Sequence, residues 1–259
     1  MNPGSQSDRT ALYAAARADF ATFVELMFDA VNGQGSFAPN WHVEAMCWQL
    51  EQVAAGLTRR LIFNLPPRHL KSFCASIAFP LWYLGRDPRA KIICISYGDS
   101  LVEDFARQRL QLVDHPVFRA IFPGVKPAPR QQNLGQIGTT RGGRILGLSI
   151  GGPITGKGCD IMIIDDPMKA DESQSAAARE RTFQTFRTTL FSRFNDPKNG
   201  AIVLAMQRLH IEDLTAQVQP LCQWNSLSIP ARAPADETYH LKSGIYHRKK
   251  GALIQPDRY

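Results

Sequence analysis

Residues 61–72 of this 259-residue chain read LIFNLPPRHLKS, an apolar run followed by a turn that ends in Lys71 and Ser72. A strand, a tight loop closed by Lys-Ser and a following helix are the usual cradle for the phosphates of a nucleoside triphosphate. The lysine reaches the β- and γ-phosphates, and the hydroxyl ligates Mg²⁺. The usual pattern, G-x-x-x-x-G-K-[ST], has two glycines, and here Leu65 and Leu70 stand in their places. By itself the segment leaves two interpretations open, a nucleotide loop or a surface Lys-Ser at the beginning of a helix.

Two adjacent carboxylates, Asp165 and Asp166, follow a second apolar run at residues 161–164. Parallel strands buried on both faces read as continuous apolar runs, and ligands bind beyond their carboxyl ends. In P-loop NTPases one such aspartate holds the Mg²⁺ shell, and a neighbouring acid orients or deprotonates the attacking water. We therefore predict a Mg²⁺–nucleotide site in which Asp165 and Ser72 hold the metal and Asp166 activates water. The alternative is a strand that merely ends in an Asp-Asp-Pro turn.

A third apolar run, residues 201–206, ends in Gln207 and Arg208. A polar residue at the tip of a strand beside the first two could sense the γ-phosphate, and we assign this coupling role to Gln207. Arg208 either faces DNA or a neighbouring subunit, or pairs with Asp213. An ordinary strand end that happens to be polar is the simpler alternative.

Taken together, these elements resemble the large subunit of the phage terminase, the DNA-packaging motor of tailed viruses. The resemblance extends from about residue 20 to the end of the chain. The segments that carry it are residues 66–72 as a Walker A variant, 161–166 as Walker B, the glycine-rich loop 151–158, the coupling motif 207–210 with 213–214, and Trp41-His42 as the adenine-side motif.

The resemblance implies a fold, an activity and partners. The fold would be α/β, a P-loop NTPase of the additional-strand type, with a mainly parallel sheet and helices on both faces. The strand 201–206 would lie between the Walker A and Walker B strands. The activity would be Mg²⁺-dependent ATP hydrolysis that drives double-stranded DNA into the procapsid. The partners would be the portal protein, the small terminase subunit and other copies of the chain. These copies would form a ring of five at the portal vertex in the host cytoplasm, and the isolated chain would be a monomer.

The resemblance also assigns residues. The nucleotide-binding set is Pro66, Pro67, Arg68, His69, Leu70, Lys71, Ser72, Phe73 and His42. The catalytic set is Asp166, Lys71, Arg68 and Lys157. Arg68 either stabilises the γ-phosphate within its own chain or forms a salt bridge on the loop surface. His42 either contacts adenine or caps a helix.

Two positions depart from the pattern of the family. Lys157 stands where many relatives carry arginine, and lysine offers a point charge without the bidentate fork. Asp166 stands in place of glutamate and is one methylene shorter, so that the attacking water must sit closer. If a cation completes the nucleotide site of a neighbouring subunit, Lys157 is the first candidate, followed by Arg141 and Arg144.

The composition indicates the class of partner. Lysines and arginines exceed acids by 30 − 23 = 7, and the pI is about 9.3. A basic balance favours a polyanion such as nucleic acid. The five cysteines form no C-x-x-C pair, which indicates a reducing compartment and no zinc site. The basic residues that we consider for DNA contact, each of them also consistent with an ordinary solvated surface, are Arg179, Arg181, Arg187, Arg193 and the run 248–250.

Hydrophobic spacing and turn residues predict alternating strands and helices, the pattern of a parallel α/β sheet. Pro80 is expected to kink or end the helix after Ser72. Residues 116–136 are expected to be irregular, and from Pro230 onward the chain is polar and punctuated by prolines. The predicted helices span residues 9–31, 40–55, 100–113, 171–194 and 211–218, and the predicted strands span 60–65, 91–96, 144–148, 201–206 and 225–229.

We divide the chain into a leader and helix at 1–36, a P-loop ATPase core at 37–230 and a C-terminal segment at 231–259. Within the first part, residues 1–8 are expected to be disordered. The last part would lead to a nuclease domain that we expect to be absent, so no DNA cleavage is expected from these residues. No apolar run is long enough to suggest a membrane partner. Two other functions stay open, a helicase-like P-loop ATPase and a nucleotide-binding switch with a non-hydrolysing site.

Overall fold

The computed structural model describes residues 6–152 and 156–256, with the backbone alone at 189–191. Most of the predicted leader and residues 153–155 of the glycine-rich loop lie outside the described residues. The last three residues, 257–259, also lie outside them. Residues 6–8, which we predicted to be disordered, form the first turn of a helix.

An eight-stranded sheet forms the centre of the molecule, and its strands run in the order β3-β4-β5-β2-β6-β7-β1-β8. Every pairing from β5 to β8 is parallel, and β3, β4 and β5 pair antiparallel at one edge. A separate antiparallel hairpin, β9–β10, follows. The strands are β1 Arg60–Asn64, β2 Lys91–Ser96, β3 Pro127–Asn133, β4 Gln136–Thr139, β5 Arg144–Ser149, β6 Ile161–Asp165, β7 Ala201–Met206, β8 Asn225–Ser228, β9 Glu237–Leu241 and β10 Gly244–Arg248.

Strand β7 lies between β1 and β6, as predicted. The register pairs Asn64 with Met206 and Asp165 with Ala205, so the carboxyl ends of β1, β6 and β7 lie at the same edge of the sheet. Residues that follow these strands therefore meet there, and this edge positions the candidate site.

Helices cover both faces of the sheet, because alternate residues of the central strands point into two separate apolar clusters. Leu61 and Phe63 join the cluster under the N-terminal helices, whereas Ile62 joins the cluster under the later ones. The helices are α1 Gln6–Ala18, α2 Phe20–Asn32, α3 Trp41–Ala54, α4 Phe79–Arg86, α5 Asp99–Asp114, α6 Pro116–Ile121, α7 Ala176–Thr185 and α8 Leu214–Val218, with π-helical segments at Phe73–Ala78 and Phe186–Leu190 and 3₁₀ turns at Phe191–Arg193 and Gln219–Leu221.

The single helix predicted over 9–31 is wrong, because two helices meet at Asp19. This residue is extended, with φ −117° and ψ 117°, and its carboxylate accepts a hydrogen bond from the Thr22 amide. An N-cap of this kind begins a new helix. The apolar spacing continues across the break because both helices bury residues in the same cluster.

The long helix predicted over 171–194 is shorter than expected. Ser175 accepts a hydrogen bond from the Ala178 amide and starts α7, which then passes into the π-helical segment. The stretch 116–136 is more regular than expected. Pro116 begins α6 behind a His115 cap, and β3 pairs with β4.

The tail beyond Pro230, for which the sequence predicted neither helix nor strand, forms the β9–β10 hairpin and packs on α3. The Tyr246 ring stacks on Trp41 with 4.4 Å between centroids. Lys242 binds the carboxylates of Asp19 and Glu51. Side-chain contacts of this kind depend on distant parts of the chain, so the local pattern gave no sign of them.

Candidate functional site

The carboxyl edge of the sheet holds a buried cluster of three charges around Lys71. Its Nζ lies 3.1 Å from Asp165 Oδ1 and 2.7 Å from Asp166 Oδ2. The lysine side chain is 5% exposed and that of Asp165 is 1% exposed. Strand β6 carries the two acids to the edge, and β1 leads through the loop to Lys71. The structure thus brings together the residues that the sequence predicted to act together.

The cluster contains two carboxylates and one ammonium group, and its burial shifts the proton affinities. Burial alone would lower the pKa of Lys71, but the charges and hydrogen bonds of Asp165 and Asp166 raise it. Burial raises the pKa of Asp166 and Asp165 adds to the effect, while Lys71 and the Gln207 amide oppose it. Lys71 therefore stays a cation. A carboxylate with a raised pKa is better matched to proton transfer near neutral pH.

Three non-glycine residues at this site have left-handed backbone conformations. Arg68 (φ 65°) and Leu70 (φ 60°) lie in the loop after β1, and Asp166 (φ 43°) follows β6. Such residues cost about 1–3 kcal/mol each and concentrate at functional sites. Leu70 stands at the second glycine position of the usual motif. The loop therefore makes the glycine-type turn without glycine.

Three strand ends hold Asp166. Its amide N–H donates to Ala205 O at 2.9 Å, and its carbonyl accepts from the Tyr97 N–H at 3.2 Å. Its Oδ1 accepts from the Gln207 amide N–H at 3.2 Å. Gln207, predicted to sense the nucleotide, therefore contacts the acid through its backbone. Tyr97 was missed, because backbone contacts of this kind leave no trace in residue type.

Two polar residues near Asp165 were not predicted. Ser76 Oγ donates to Asp165 Oδ2 at 2.8 Å, and Arg109 Nη1 donates to the Ser76 carbonyl at 2.7 Å. The signal in the sequence was the serine itself, a lone hydroxyl within the apolar helical run 73–79. Ser72, the predicted metal ligand, is half-buried one turn earlier in the same helical stretch.

The rest of the loop ranges from exposed to buried. Pro66 is half-buried, whereas Pro67 and Arg68 are exposed. His69 is buried, and its Nδ1 donates to Pro67 O at 2.8 Å. Phe73, also buried, packs edge-on against α2. The loop thus presents Arg68 outward and anchors its other end in the core.

His42 lies beside the loop, although Asn40 rather than His42 caps α3. Asn40 Oδ1 accepts from the His42 amide and from its ring Nδ1, at 3.4 and 2.7 Å. The buried His42 ring is 5.5 Å from the His69 ring. The predicted adenine-side residue therefore contacts the predicted phosphate loop.

Two further cations that the sequence singled out, Arg208 and Lys157, lie outside the cluster around Lys71. Arg208 Nε binds Asp213 Oδ2 at 2.7 Å, which is the structural alternative that the sequence left open. Lys157 is exposed and precedes Gly158, whose carbonyl accepts from Arg144 at the beginning of β5. This is the amino edge of the sheet. With a rise of about 3.3 Å per residue, the five residues of β6 separate it from Asp166 by roughly 16 Å.

Several basic residues considered for DNA contact have structural partners. Arg179 binds Glu212 at 2.9 Å and donates to Ser173 O. Arg248 is 1% exposed and donates to three backbone carbonyls. Arg181 and Arg187 are exposed on the helical stretch that begins with α7. These two stay available for contact with a polyanion.

The donors around Lys71 fit a Mg²⁺–nucleotide complex. Serine hydroxyl and carboxylate oxygens suit Mg²⁺, which proteins hold through one or two carboxylates with phosphates completing the shell. In residues 6–152 and 156–256, no group of three or more His, Cys, Asp or Glu side chains could hold a metal ion without such help. The helical stretch that begins at Lys71 also offers first-turn N–H groups, which lack intrahelical acceptors and suit phosphate oxygens.

Comparison with known proteins identifies similar chains. No protein-family model matches this chain. It is 27% identical over 199 residues to the terminase large subunit of Enterobacteria phage T3, an alignment that covers 72% of this chain and 32% of the phage protein. The crystal structure of the HK97 bacteriophage large terminase matches with a TM-score of 0.53 at 13% identity, covering 85% of this chain and 45% of that one.

These similarities confirm two predictions from the sequence. The resemblance to the terminase large subunit is confirmed by the phage T3 relative, and the chain spans about a third of that protein's length. The predicted fold class, α/β of the additional-strand P-loop type, is confirmed by the strand order and by the likeness to the HK97 terminase. Among the described helices, none has both the length and the apolar character needed to cross a membrane.

Proposed function

We propose that this chain is the ATP-hydrolysing motor domain of a terminase large subunit, which drives double-stranded DNA into the procapsid. The observation that carries the proposal is the position of Lys71, buried between Asp165 and Asp166 where the loop after β1 meets the end of β6. A charge arrangement of this kind gives phosphates, a metal and a water molecule a common place at the sheet edge.

Each residue of the site has a distinct task in this proposal. Mg²⁺, held by Ser72 and Asp165, would supply positive charge that offsets the charge of the phosphates. Lys71 turns its ammonium from the carboxylates to the phosphate oxygens, and Ser72 offers its hydroxyl to the metal. Asp165 holds the metal shell. Asp166 takes the proton of the attacking water, and Arg68, on the exposed side of the loop, offsets charge on the γ-phosphate.

Two other functions remain candidates, and different observations bear on them. The similarity to the terminase large subunit of phage T3 favours a packaging motor over a helicase-like ATPase. The absence of the two glycines of the usual phosphate loop favours a nucleotide-binding switch that does not hydrolyse ATP. The left-handed conformation of Leu70 argues against it, because the loop keeps the turn that glycine normally provides. The raised pKa of Asp166 also suits a catalytic base.

The proposed partners follow from the same assignment. They are double-stranded DNA, the portal protein, the small terminase subunit and further copies of this chain in a ring of five. The proposed place of action is the host cytoplasm and, during packaging, the portal vertex. The region matched by this chain is about a third of the phage T3 protein, so the partners of a whole terminase large subunit enter here as proposals.

We further propose that Lys157 completes the nucleotide site of a neighbouring copy. It lies near the amino edge of its own sheet, on the opposite side from the cluster around Lys71 in the same chain. A cation supplied by another subunit contributes about 10³–10⁵-fold in rate in P-loop enzymes that use one. The isolated chain should therefore hydrolyse ATP slowly, and its specific activity should rise with protein concentration or with added portal.

Mixing two inactive variants tests this directly. Lys157→Ala subunits mixed with Asp166→Asn subunits should recover phosphate release, because some interfaces pair an intact acid with an intact lysine. Each variant alone should stay inactive at the same total concentration. Mixed oligomers without recovery would place Lys157 outside the reaction or within its own subunit.

A second prediction concerns DNA. Motors grip phosphates rather than bases, so binding should be independent of sequence and should weaken steeply with salt. The double variant Arg181→Ala/Arg187→Ala should bind duplex DNA more weakly and with a smaller salt slope. Arg107→Ala, which removes an exposed cation paired with Glu103, is the matched control. Affinity that does not change between low and high salt would contradict this part of the proposal.

A further inference from the structure

Ser76 and Arg109 are buried polar residues next to the Lys71 cluster, and the proposed function gives them no role. Ser76 is 1% exposed and Arg109 is 2% exposed. Ser76 lies in the π-helical segment Phe73–Ala78, whose other side chains are apolar or cysteine. Such π turns are rare and often occur at functional sites. A hydroxyl held here requires an explanation beyond packing.

Ser76 fixes the orientation of Asp165. Its Oγ donates to Oδ2 at 2.8 Å, while Lys71 Nζ binds the other oxygen, Oδ1, at 3.1 Å. With both oxygens engaged, the plane of the carboxylate is determined. When Lys71 turns to phosphate, the bond from Ser76 is the contact that continues to hold Asp165. Without it, Oδ2 would be a buried acceptor that has lost its donor.

Arg109 in turn fixes the position of Ser76. Its Nη1 donates to the Ser76 carbonyl at 2.7 Å, from the middle of α5. Helix α5 begins two residues after Tyr97, whose amide donates to Asp166. The unit formed by β2 and α5 therefore touches both acids, one through Tyr97 and the other through Arg109 and Ser76.

We propose that Ser76 and Arg109 are positioning residues for the metal-holding carboxylate of Asp165. Ser76 orients the carboxylate, and Arg109 holds the π-helical segment that carries Ser76. This inference rests on the proposed function, because it assigns the two residues to the Mg²⁺ side of that site. Groups that orient a metal-holding residue typically contribute about 10–100-fold in metal affinity or activity.

The test is a titration of the 259-residue chain with a non-hydrolysable ATP analogue, with and without Mg²⁺. In Ser76→Ala we expect the Mg²⁺ concentration needed for tight binding to rise about 10–100-fold. Binding of the analogue without Mg²⁺ should change little. Ser76→Thr keeps the hydroxyl and should restore the Mg²⁺ requirement of the wild type. Arg109→Lys should shift it in the same direction as Ser76→Ala, but less.

The outcomes separate this inference from the proposed function. A wild-type chain that binds no nucleotide would overturn the proposed function. A wild-type chain that binds it, together with a Ser76→Ala variant of unchanged Mg²⁺ requirement, would overturn only the positioning role. If Ser76 had only a structural role, Ser76→Ala would lower the temperature of unfolding and leave the Mg²⁺ requirement unchanged. Ser76→Cys, with a weaker donor of similar size, answers the question if the alanine variant does not fold.

Discussion

Replacing Lys71 with alanine is expected to reduce ATP turnover by at least about 10²–10³-fold, the effect of removing one well-placed electrostatic group. The same change should destabilise the chain itself. Loss of one partner from a buried ion pair costs about 3–5 kcal/mol, because the remaining charge stays buried and uncompensated. Phosphate release and the urea dependence of unfolding measure the two effects.

Two further variants make the result interpretable. Lys198→Ala removes an exposed lysine and should leave both quantities near their wild-type values. Adding Asp166→Asn to Lys71→Ala should recover part of the lost stability, because it removes a buried negative charge, but should recover no turnover. Wild-type turnover in Lys71→Ala would eliminate the assignment of the site.

Replacing Asp166 with asparagine is expected to leave nucleotide binding within a few-fold of the wild type and to lower hydrolysis by about 10²–10⁴-fold. The amide keeps the size of the side chain but cannot accept a proton from water, and general bases contribute rate factors of this order. Nucleotide titration and single-turnover phosphate release separate the two quantities. Asp171→Asn, at an exposed aspartate, is the matched control. Equal loss of binding and turnover would assign Asp166 to binding instead.

The same variant should change how stability depends on pH. The folded chain holds the pKa of Asp166 above its ordinary value of 3.8, chiefly through burial. A raised pKa means that the folded state retains this proton longer than the unfolded state. The stability that the protonated Asp166 contributes is therefore fully present below about pH 4. It is lost as the pH rises through the pKa of Asp166 in the folded state. Relative to Asp166→Asn, the wild type should lose stability over this range in urea unfolding at successive pH values.

Much of the fold could be predicted from the sequence because its central strands are buried on both faces. Runs such as residues 161–164 and 201–206 cannot be mistaken for half-exposed strands, and they lead directly to the polar residues at the sheet edge. The same pattern predicts that Lys71 lies near Asp165 and Asp166, because the carboxyl ends of parallel strands meet at one edge. The order of β1, β6 and β7 came from the resemblance to terminases.

The errors have one physical cause, which is that local pattern does not record distant contacts. One helix was predicted over 9–31 because the apolar stripe continues past Asp19, whose capping carboxylate starts the second helix. The β9–β10 hairpin was missed because it is stabilised by contacts with α3, such as the stacking of Tyr246 on Trp41. Ser76 and Arg109 were missed for the same reason, since their roles depend on a meeting of α5 with the helical stretch after the loop.

The central claim is that Lys71, Ser72 and the two acids form a Mg²⁺–nucleotide site. A crystal structure of the chain with Mg²⁺ and a non-hydrolysable ATP analogue tests it most directly. We expect Lys71 Nζ to leave Asp166 and contact the β- and γ-phosphates. Ser72 Oγ should ligate the metal, and Asp165 should lie behind it. A nucleotide bound at any other place, with Lys71 still paired to both carboxylates, would contradict the claim.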